Sequence, residues 1–370
     1  MSIPLLRMGI AASSRPALTY LLRDDFTAAQ AAPLAGIRTA VPGPGTLTIT
    51  DPANLLSVAG GELLMTGNGS FVTPHVYSQG VARTAGQALY LRVKMGTSAS
   101  VNLQFMVTSA KAPGTAPYSQ MDGASSDAGG FIFDSGSLQM WEKSGNPRAS
   151  GLAVATGTYY DLAIVLRSSG HYLFARIGGV WRLVWVSNGG STATVYAAVQ
   201  QQASASTSYI DAFRVAPLAG SFASDYGFAT QRNAGLVAAG TAVAHEGDFK
   251  LEWTQTTLPA TTARVSFRSG WYVTVTSAGV YTLYDPTDTV RGTPGTGVAA
   301  GNRMAVIAEG SAIRVYRAGV LGPTYTSATV NQTATAGSVV ALGGGTVSDV
   351  VAWPRTPSGA ALTGLDLLAA

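Results

Sequence analysis

The stretch TYYDLAIVLRSSGHYLFARIGGVWRLVW, residues 158–185, decides the fold. It holds three runs, residues 160–166, 171–177 and 180–186, that are apolar or alternate between apolar and polar side chains. Ser168-Ser169-Gly170 and Gly178-Gly179 separate these runs. Short runs joined by glycine-containing turns are typical of an antiparallel meander. The stretch therefore predicts three neighbouring strands, and no helix fits there.

A similar unit returns later in the chain, where residues 300–308 lead through Gly310-Ser311 into residues 312–320. The 370 residues suit two domains, and the 44 Gly and 17 Pro are scattered singly, as frequent turns require. Equivalent order in both halves indicates that one structural unit occurs twice. We expect an all-β protein with two tandem antiparallel β-sandwich domains and an extended N-terminal arm.

The composition excludes several classes of function. Charged residues make up 11% of the chain, against about 25% in an average soluble domain, so Ser, Thr, Gly and Ala must cover much of the surface. Such a surface suits a subunit of an assembly or a protein outside the cell. The net charge is +4, but the 23 basic residues form no cluster, so we expect no nucleic-acid partner. The chain has no cysteine, which excludes disulfides, thiolate nucleophiles and cysteine-ligated metals.

The expected organisation has five parts. Residues 1–23 form the arm, residues 24–216 the first sandwich, residues 217–240 a linker, residues 241–355 the second sandwich and residues 356–370 a tail. Arg7 interrupts the apolar run that a secretory signal needs. No stretch reaches the roughly 20 apolar residues of a bilayer-spanning helix, so we expect no membrane insertion.

The arm is a candidate particle-docking segment because it carries five large apolar side chains, Ile3, Leu5, Leu6, Met8 and Ile10. Two alternatives stay open. The N-terminus is disordered or forms a strand of its own, or it docks on a neighbouring subunit and recovers the burial of these side chains. In the second case the protein is a homo-oligomer or part of a larger assembly.

The third run of the meander carries a second candidate surface. Strict alternation puts Trp181, Leu183 and Trp185 on one face of the strand, and the other face is also apolar. One face belongs to the core. The other meets a partner domain, or it stacks on a sugar ring, because aromatic planes pack well against pyranose faces.

Several motifs resemble concanavalin A-like (laminin G-like) jelly-roll domains. They are the Asp-Asp-Phe opening at residues 24–26, Gly-Gly-Glu-Leu-Leu at 60–64, Tyr-Tyr-Asp-Leu-Ala-Ile-Val at 159–165 with its Ser-Ser-Gly hairpin, and Ile-Asp-Ala-Phe at 210–213. The variety that begins with Asp-Asp-Phe is familiar from bacteriophage tail, fibre and other virion proteins. The resemblance covers residues 24–216 and, more faintly, 241–355, where the Asp-Asp-Phe opening is missing.

The resemblance implies a non-enzymatic structural or accessory protein of a bacteriophage virion that contributes to attachment to the host surface. Its location is then the extracellular particle, and its partners are other virion proteins and a cell-surface glycan. The alternative is a carbohydrate-binding module of a secreted or surface-displayed protein. A third, more remote alternative is a glucanase-like hydrolase.

Catalysis and metal binding have little support in the sequence. Hydrolases of this fold carry Glu-x-Asp-x-Glu or Glu-x-Asp-x-x-Glu on one strand, and the nearest string here, Glu246 to Glu252 through Asp248, is spaced one residue too far. His75, His171 and His245 lie far apart, and we expect each to be satisfied or exposed. No cofactor is expected. Calcium is an alternative at Asp24 and Asp25, where we favour a bond from one carboxylate to backbone amides at a strand start.

Overall fold

The structure is a computed structural model in which almost every element is a β-strand. It describes residues 18–370 except 33, 52, 68, 70–73, 110–128, 143–147, 169, 188–191, 203–205, 219–221, 223–230, 238–240, 246–247, 269, 328–329, 331–334, 341–344 and 358. Within these residues, no helix has the length and the apolar character needed to cross a membrane.

The elements are the following strands and one helix. They are β1 (Leu22–Asp24), β2 (Gly36–Thr39), β3 (Thr46–Thr50), β4 (Leu56–Ala59), β5 (Glu62–Thr66), β6 (His75–Ser78), β7 (Val81–Ala82), β8 (Gln87–Met95), β9 (Leu103–Thr108), β10 (Gly129–Asp134), β11 (Ser137–Glu142), β12 (Arg148–Ala153), β13 (Tyr159–Leu166), β14 (His171–Ile177), β15 (Val180–Ser187), β16 (Thr194–Gln201), β17 (Thr207–Pro217), β18 (Gln231–Val237), β19 (Thr241–His245), β20 (Phe249–Thr257), β21 (Thr262–Phe267), β22 (Trp271–Thr276), β23 (Tyr281–Tyr284), β24 (Val290–Gly295), β25 (Asn302–Glu309), β26 (Ala312–Arg317), β27 (Val320–Thr326), β28 (Thr335–Val340), β29 (Thr346–Pro354) and α1 (Gly359–Ala369).

These strands form four antiparallel sheets, which we number in the order in which they pack. Sheet I has nine strands in the order β12-β11-β10-β9-β16-β6-β3-β2, with β7 beside β16. Sheet II has eight strands in the order β15-β14-β13-β8-β17-β5-β4, with β1 beside β17. Sheet III follows the order β18-β29-β20-β25-β26-β27, and sheet IV follows β19-β28-β21-β22-β23-β24.

Sheets I and II enclose the first hydrophobic core, and sheets III and IV enclose the second. Leu91, Phe105, Phe131 and Phe213 are among the fully buried side chains of the first core. Trp253, Phe267 and Val306 belong to the second. Buried side chains alternate with half-buried ones along β3, β5 and β21, which is the pattern of a strand with one face in the core. The expected all-β fold with two tandem antiparallel sandwiches is confirmed.

The two sandwiches share one strand order. Reading β15-β14-β13-β8-β17-β5 in sheet II against β27-β26-β25-β20-β29-β18 in sheet III gives the same sequence of connections. Sheet I and sheet IV match in the same way, with β12-β11-β10-β9-β16-β6 against β24-β23-β22-β21-β28-β19. Both closing strands even carry a register shift beside an aspartate, Asp211 in β17 and Asp349 in β29. The repeat that the sequence indicates is therefore a repeat of topology.

The elements at the edges of the two sandwiches differ from the expected boundaries. Strand β1 lies at the end of the predicted arm, where its Leu22 is fully buried and pairs with Val215 of β17. Strand β18 lies inside the predicted linker and completes sheet III by pairing with β29. The predicted tail contains helix α1, which buries Ala361, Leu365 and Leu368. A short amphipathic helix gains its stability from the surface it packs on, which a local pattern does not reveal.

Helix α1 and strand β29 together cover the outer face of sheet II. A third apolar cluster joins outward side chains of sheet II, such as Tyr90, Phe174 and Trp181, to Trp353 of β29 and Leu365 of α1. Leu18 and Tyr20 pack against the same cluster, and the Tyr20 hydroxyl donates to the Leu367 carbonyl at 3.3 Å. The N-terminal residues that the structure describes therefore lie beside the C-terminal helix.

Replacing Leu365 by alanine should lower the free energy of unfolding by about 2–5 kcal/mol, because the side chain is fully buried against sheet II and leaves a cavity. Asp366→Ala, at an exposed position of the same helix, should change it by no more than about 0.5 kcal/mol. Chemical denaturation of both variants measures the difference. Equal stability of the two variants would show that α1 is not docked as described.

Candidate binding face

The structure places the sequence-predicted site residues in different regions. Ile3, Leu5, Leu6, Met8 and Ile10 lie outside the described residues. Trp181 and Trp185 lie between the two sandwiches and are 1% and 3% exposed. Neither indole ring presents a face to solvent, so the surface that a sugar would stack on is already covered by protein.

Strict alternation predicted that Trp181 and Trp185 share one face of β15, and this prediction is wrong. The register between β14 and β15 shifts between Leu173 and Phe174, which pair with Trp185 and Leu183 and leave Val184 as an additional residue. This bulge reverses the alternation. Trp181 therefore packs in the cluster under α1, whereas Trp185 packs at the edge of the first core with its ring 5.2 Å from that of Tyr316.

Buried charges lie where sheet III meets sheet II. Lys250 is fully buried, with its ammonium 3.9 Å from the centre of the Trp185 ring and in an ion pair with Glu252. Arg303 reaches the other carboxylate oxygen of Glu252 at 3.2 Å. Burial alone would raise the pKa of Glu252, but Lys250 and Arg303 together lower it below its ordinary value. Glu252 is thus held ionised, which suits a structural ion pair and does not suit a general acid.

Asp248, the other described acid of the glucanase-like string, also belongs to this junction. Its carboxylate accepts from Arg268 at 3.0 Å and from the Gly310 amide at 2.7 Å, and it pairs with Arg182 of β15 at 3.3 Å. Glu246 lies outside the described residues. The string therefore contributes to the contact between the sandwiches, and its two described acids pair with cations instead of facing each other across a cleft.

Asp24 and Asp25 are both paired with arginines. Asp24 is fully buried, accepts from the Phe26 amide at 2.9 Å and forms an ion pair with Arg38 at 2.8 Å. Asp25 pairs with Arg23 and Arg214, each at 2.8 Å. Within the part of the chain that the structure describes, no three His, Asp or Glu side chains come together as a metal site requires.

Of the three histidines, which were each expected to be satisfied or exposed, His171 is buried. Burial, together with the nearby cations Arg83 and Arg167, lowers the pKa of His171 to about 3. Its imidazole is therefore neutral at physiological pH. His75 stacks on Tyr77 with ring centres 5.9 Å apart. The side chain of His245 lies outside the described part.

The outer faces of sheets I and II offer little open surface. At the centre of sheet I, the outward side chains of Gln104, Thr108 and Gln200 are at most 3% exposed. On the uncovered part of sheet II, Lys94 lies 4.6 Å from the ring centres of both Tyr159 and Tyr209 and pairs with Glu62. In this group of four residues, the charge of Lys94 is therefore neutralised by Glu62 and is not offered to a ligand.

The outer face of sheet IV is polar, and most of its outward side chains are half-buried, while Tyr272 and Thr282 are 6% and 7% exposed. Along β21 the inward Ala263, Val265 and Phe267 are buried, while the side chains between them are half-buried and point away from the core. The outward positions of β21, β22 and β23 carry hydroxyl groups, one guanidinium and two aromatic rings: Thr262, Arg264, Ser266, Tyr272, Thr274, Thr276, Thr282 and Tyr284. We call this surface the sheet IV face.

A three-membered stack forms the centre of the sheet IV face. Tyr272 and Tyr284 are paired across β22 and β23, and their rings are parallel with centres 4.9 Å apart. The Arg264 guanidinium lies on the other side of Tyr272, 3.6 Å from the ring centre, which is a close cation–π contact. The Arg264 Nε donates to the Ser266 hydroxyl at 3.1 Å.

Asp288, in the turn between β23 and β24, orders one end of this stack. The Tyr272 hydroxyl donates to its Oδ1 atom at 2.7 Å. Burial and this hydrogen bond raise the pKa of Tyr272 to about 12, so the hydroxyl remains protonated at physiological pH. The sheet IV face thus combines a fixed cation, an acid, aromatic rings and a row of hydroxyls, which are the groups that bind polyhydroxylated ligands.

The sequence shows the alternation of β21 and β22, which could have identified an open sheet face. It does not show the stack, because its three members come from three strands and meet only through the register.

Comparisons with known proteins find similar structures but do not assign the chain to a family. No protein-family model and no curated protein matches the sequence. Among solved structures, the exoplasmic/lumenal domain of VIP36 in its Ca2+/Man3GlcNAc-bound form is 7% identical with a TM-score of 0.35, over 46% of this chain and 82% of that one. LamAcat from Zobellia galactanivorans is 12% identical with a TM-score of 0.36, over 54% of this chain and 97% of that one. A beta-1,3-glucanase from Mycobacterium marinum is 11% identical with a TM-score of 0.34, over 55% of this chain and 99% of that one. These likenesses are too weak to carry an argument about function, and the fold assignment rests on strand order and packing.

Glu252→Gln should lower the free energy of unfolding at neutral pH by about 3–5 kcal/mol, because it leaves the Lys250 ammonium buried without a carboxylate. The folded-state pKa of Glu252 lies below its unfolded value, so its stabilisation is present above about pH 4.5 and is lost as the pH falls through the folded pKa. The gap between wild type and variant should therefore narrow in acid. Denaturation curves at several pH values measure it, and a gap that widens in acid would contradict this assignment.

Proposed function

We propose that this chain is a non-enzymatic carbohydrate-binding protein that binds glycans on the sheet IV face. The observation that carries the proposal is the stack of Arg264, Tyr272 and Tyr284 on a hydroxyl-rich sheet surface, where Arg264 and Tyr284 are half-buried. Because Arg264 and Tyr284 already cover the two faces of Tyr272, the Tyr284 ring supplies the apolar contact to the C–H face of a sugar, and Thr, Tyr, Arg and Asp groups exchange hydrogen bonds with its hydroxyls.

The acids near this face support binding without hydrolysis. Glycoside hydrolysis needs two carboxyl groups about 5–10 Å apart, one of which donates a proton. Asp288 lies at the stack, and Asp285 lies in the same turn but is bonded to Thr287, Thr289 and Arg291. Burial opposes the effect, yet these hydrogen bonds hold the pKa of Asp285 well below its ordinary value. Asp285 therefore keeps no proton to donate at physiological pH.

We propose further that the protein is a component of a bacteriophage particle and attaches that particle to a host-surface glycan. Two observations support this role: the Asp-Asp-Phe opening, which resembles virion jelly rolls, and the concentration of large apolar side chains in the first ten residues. Leu18, the first residue that the structure describes, packs against the apolar cluster at the junction of the two sandwiches. One segment then docks on the particle while the sheet IV face remains open to ligand.

On a panel of polysaccharides, the protein should bind at least one glycan and release no reducing sugar. Tyr284→Ala should weaken that binding about tenfold, because it removes a stacking surface. Tyr209→Ala, on sheet II, is the matched control and should leave affinity unchanged. Reducing sugar released by wild type, or equal binding by the Tyr284 variant, would contradict the proposal.

Deletion of residues 1–17 should leave the unfolding midpoint unchanged but abolish incorporation into the particle or oligomer. Leu18 and Tyr20 keep their packing in that variant. Deletion of residues 1–24 is a useful contrast, because it also removes the buried Leu22 and Asp24 and should destabilise the first sandwich. Pull-down with assembled particles and size-exclusion chromatography report the outcome, and equal incorporation after the shorter deletion would show that docking occurs elsewhere.

A further inference from the structure

Arg264 differs from every other arginine whose side chain the structure describes. The others bond a carboxylate or a backbone carbonyl; Arg291 pairs with Asp285 and Arg317 donates to the Gly297 carbonyl, for example. Arg264 has neither kind of partner among the described residues. Its Nε donates to a serine hydroxyl, and its two terminal nitrogens make no bond within the described part of the chain.

The guanidinium of Arg264 is nevertheless held in one place. Its central carbon lies 3.6 Å from the ring centre of Tyr272, which also stacks on Tyr284, and its Nε donates to the Ser266 hydroxyl. A guanidinium fixed in this way loses little further conformational entropy when it binds. The remaining two amino groups form the fork that matches the two oxygens of a carboxylate.

We propose that the sheet IV face selects an acidic sugar and that the two terminal nitrogens of Arg264 bind the carboxylate of a uronate residue. This inference rests on the proposed glycan-binding function and adds the chemical class of the ligand. The hydroxyls of Thr262, Thr274 and Tyr284 are placed on the same surface and meet the hydroxyls of the sugar ring.

The charges around the fork favour an isolated carboxylate over a densely charged anion. Asp288 lies at the hydroxyl of the same tyrosine that supports Arg264, so a cation and an anion flank one ring. A polymer with a charged phosphate in every unit, or a polysaccharide with several sulfates on each sugar, would bring further negative charge toward the carboxylate of Asp288 and be repelled by it. A uronate carries one carboxylate among several hydroxyls, and Asp288 accepts hydrogen bonds from such hydroxyls.

The experiment is titration calorimetry of the full chain with an oligogalacturonate, its fully methyl-esterified form, a neutral gluco-oligosaccharide and heparin. Wild type should bind the oligogalacturonate most tightly. Arg264→Gln should weaken that binding about 10- to 100-fold, and Arg264→Lys should also weaken it, because the ammonium keeps the charge but lacks the fork. Arg317→Gln, in sheet III, changes the net charge equally and should bind as wild type does. Unchanged thermal unfolding of each variant shows that it folds.

Each other outcome decides against the inference. Equal binding of the oligogalacturonate and its methyl ester, or equal binding by wild type and Arg264→Gln, would overturn the carboxylate fork. Tighter binding of heparin would assign the face to a densely charged anion. Binding of the neutral oligosaccharide alone would overturn the inference but leave the proposed glycan-binding function standing. Binding of none of the four ligands would also overturn the inference, and the wider polysaccharide panel would then decide the proposed function.

Discussion

The packing of sheet III and α1 on the outer face of sheet II is the contact on which the arrangement of this molecule depends. Trp181, Trp353 and Leu365 meet in one apolar cluster, and the Leu183 amide donates to the Arg355 carbonyl at 2.6 Å across it. The junction also contains Lys250 and its carboxylate partner, which are costly to bury. Lys250 and Glu252 both stand on β20, so their pair contributes little net stability and does not depend on how the sandwiches dock. The apolar cluster therefore supplies the stabilisation, and the ion pair of Arg182 in β15 with Asp248 at 3.3 Å is a polar contact that crosses the junction.

The sequence predicts the parts of the fold that depend on local pattern. The meander of β13, β14 and β15, its counterpart in the second sandwich and the closing strands all follow from alternation and glycine turns. Features that depend on distant partners are missed. Helix α1 becomes stable through sheet II, β18 through β29, and the bulge at Val184 moves Trp185 off the face of Trp181. Each of these errors has the same physical origin, which is that tertiary contacts override local preference.

The sequence did not predict the stack on the sheet IV face for a related reason, which is that the stack depends on contacts between strands. Arg264, Tyr272 and Tyr284 are ordinary residues of three short strands, and no motif links them in the sequence. Antiparallel register places Tyr272 directly opposite Tyr284, and the two-residue period of β21 places Arg264 one step diagonally from the same ring. By contrast, Trp181 and Trp185 attract attention in the sequence because they are large and closely spaced, yet such residues fill interfaces more readily than they remain exposed.

Because the two sandwiches share one strand order, the outer faces of their equivalent sheets can be compared directly. Sheets II and III are equivalent, and each uses its outer face to contact the other sandwich, with α1 covering more of sheet II. Sheets I and IV are equivalent too, but the central outward side chains of sheet I are buried, whereas those of β21 and two of the three in β22 are half-buried. Two copies of one topology thus use their equivalent outer faces differently. On the sheet IV face, stacking against Tyr272 positions the Arg264 guanidinium, and none of the residues that the structure describes gives it a carboxylate partner.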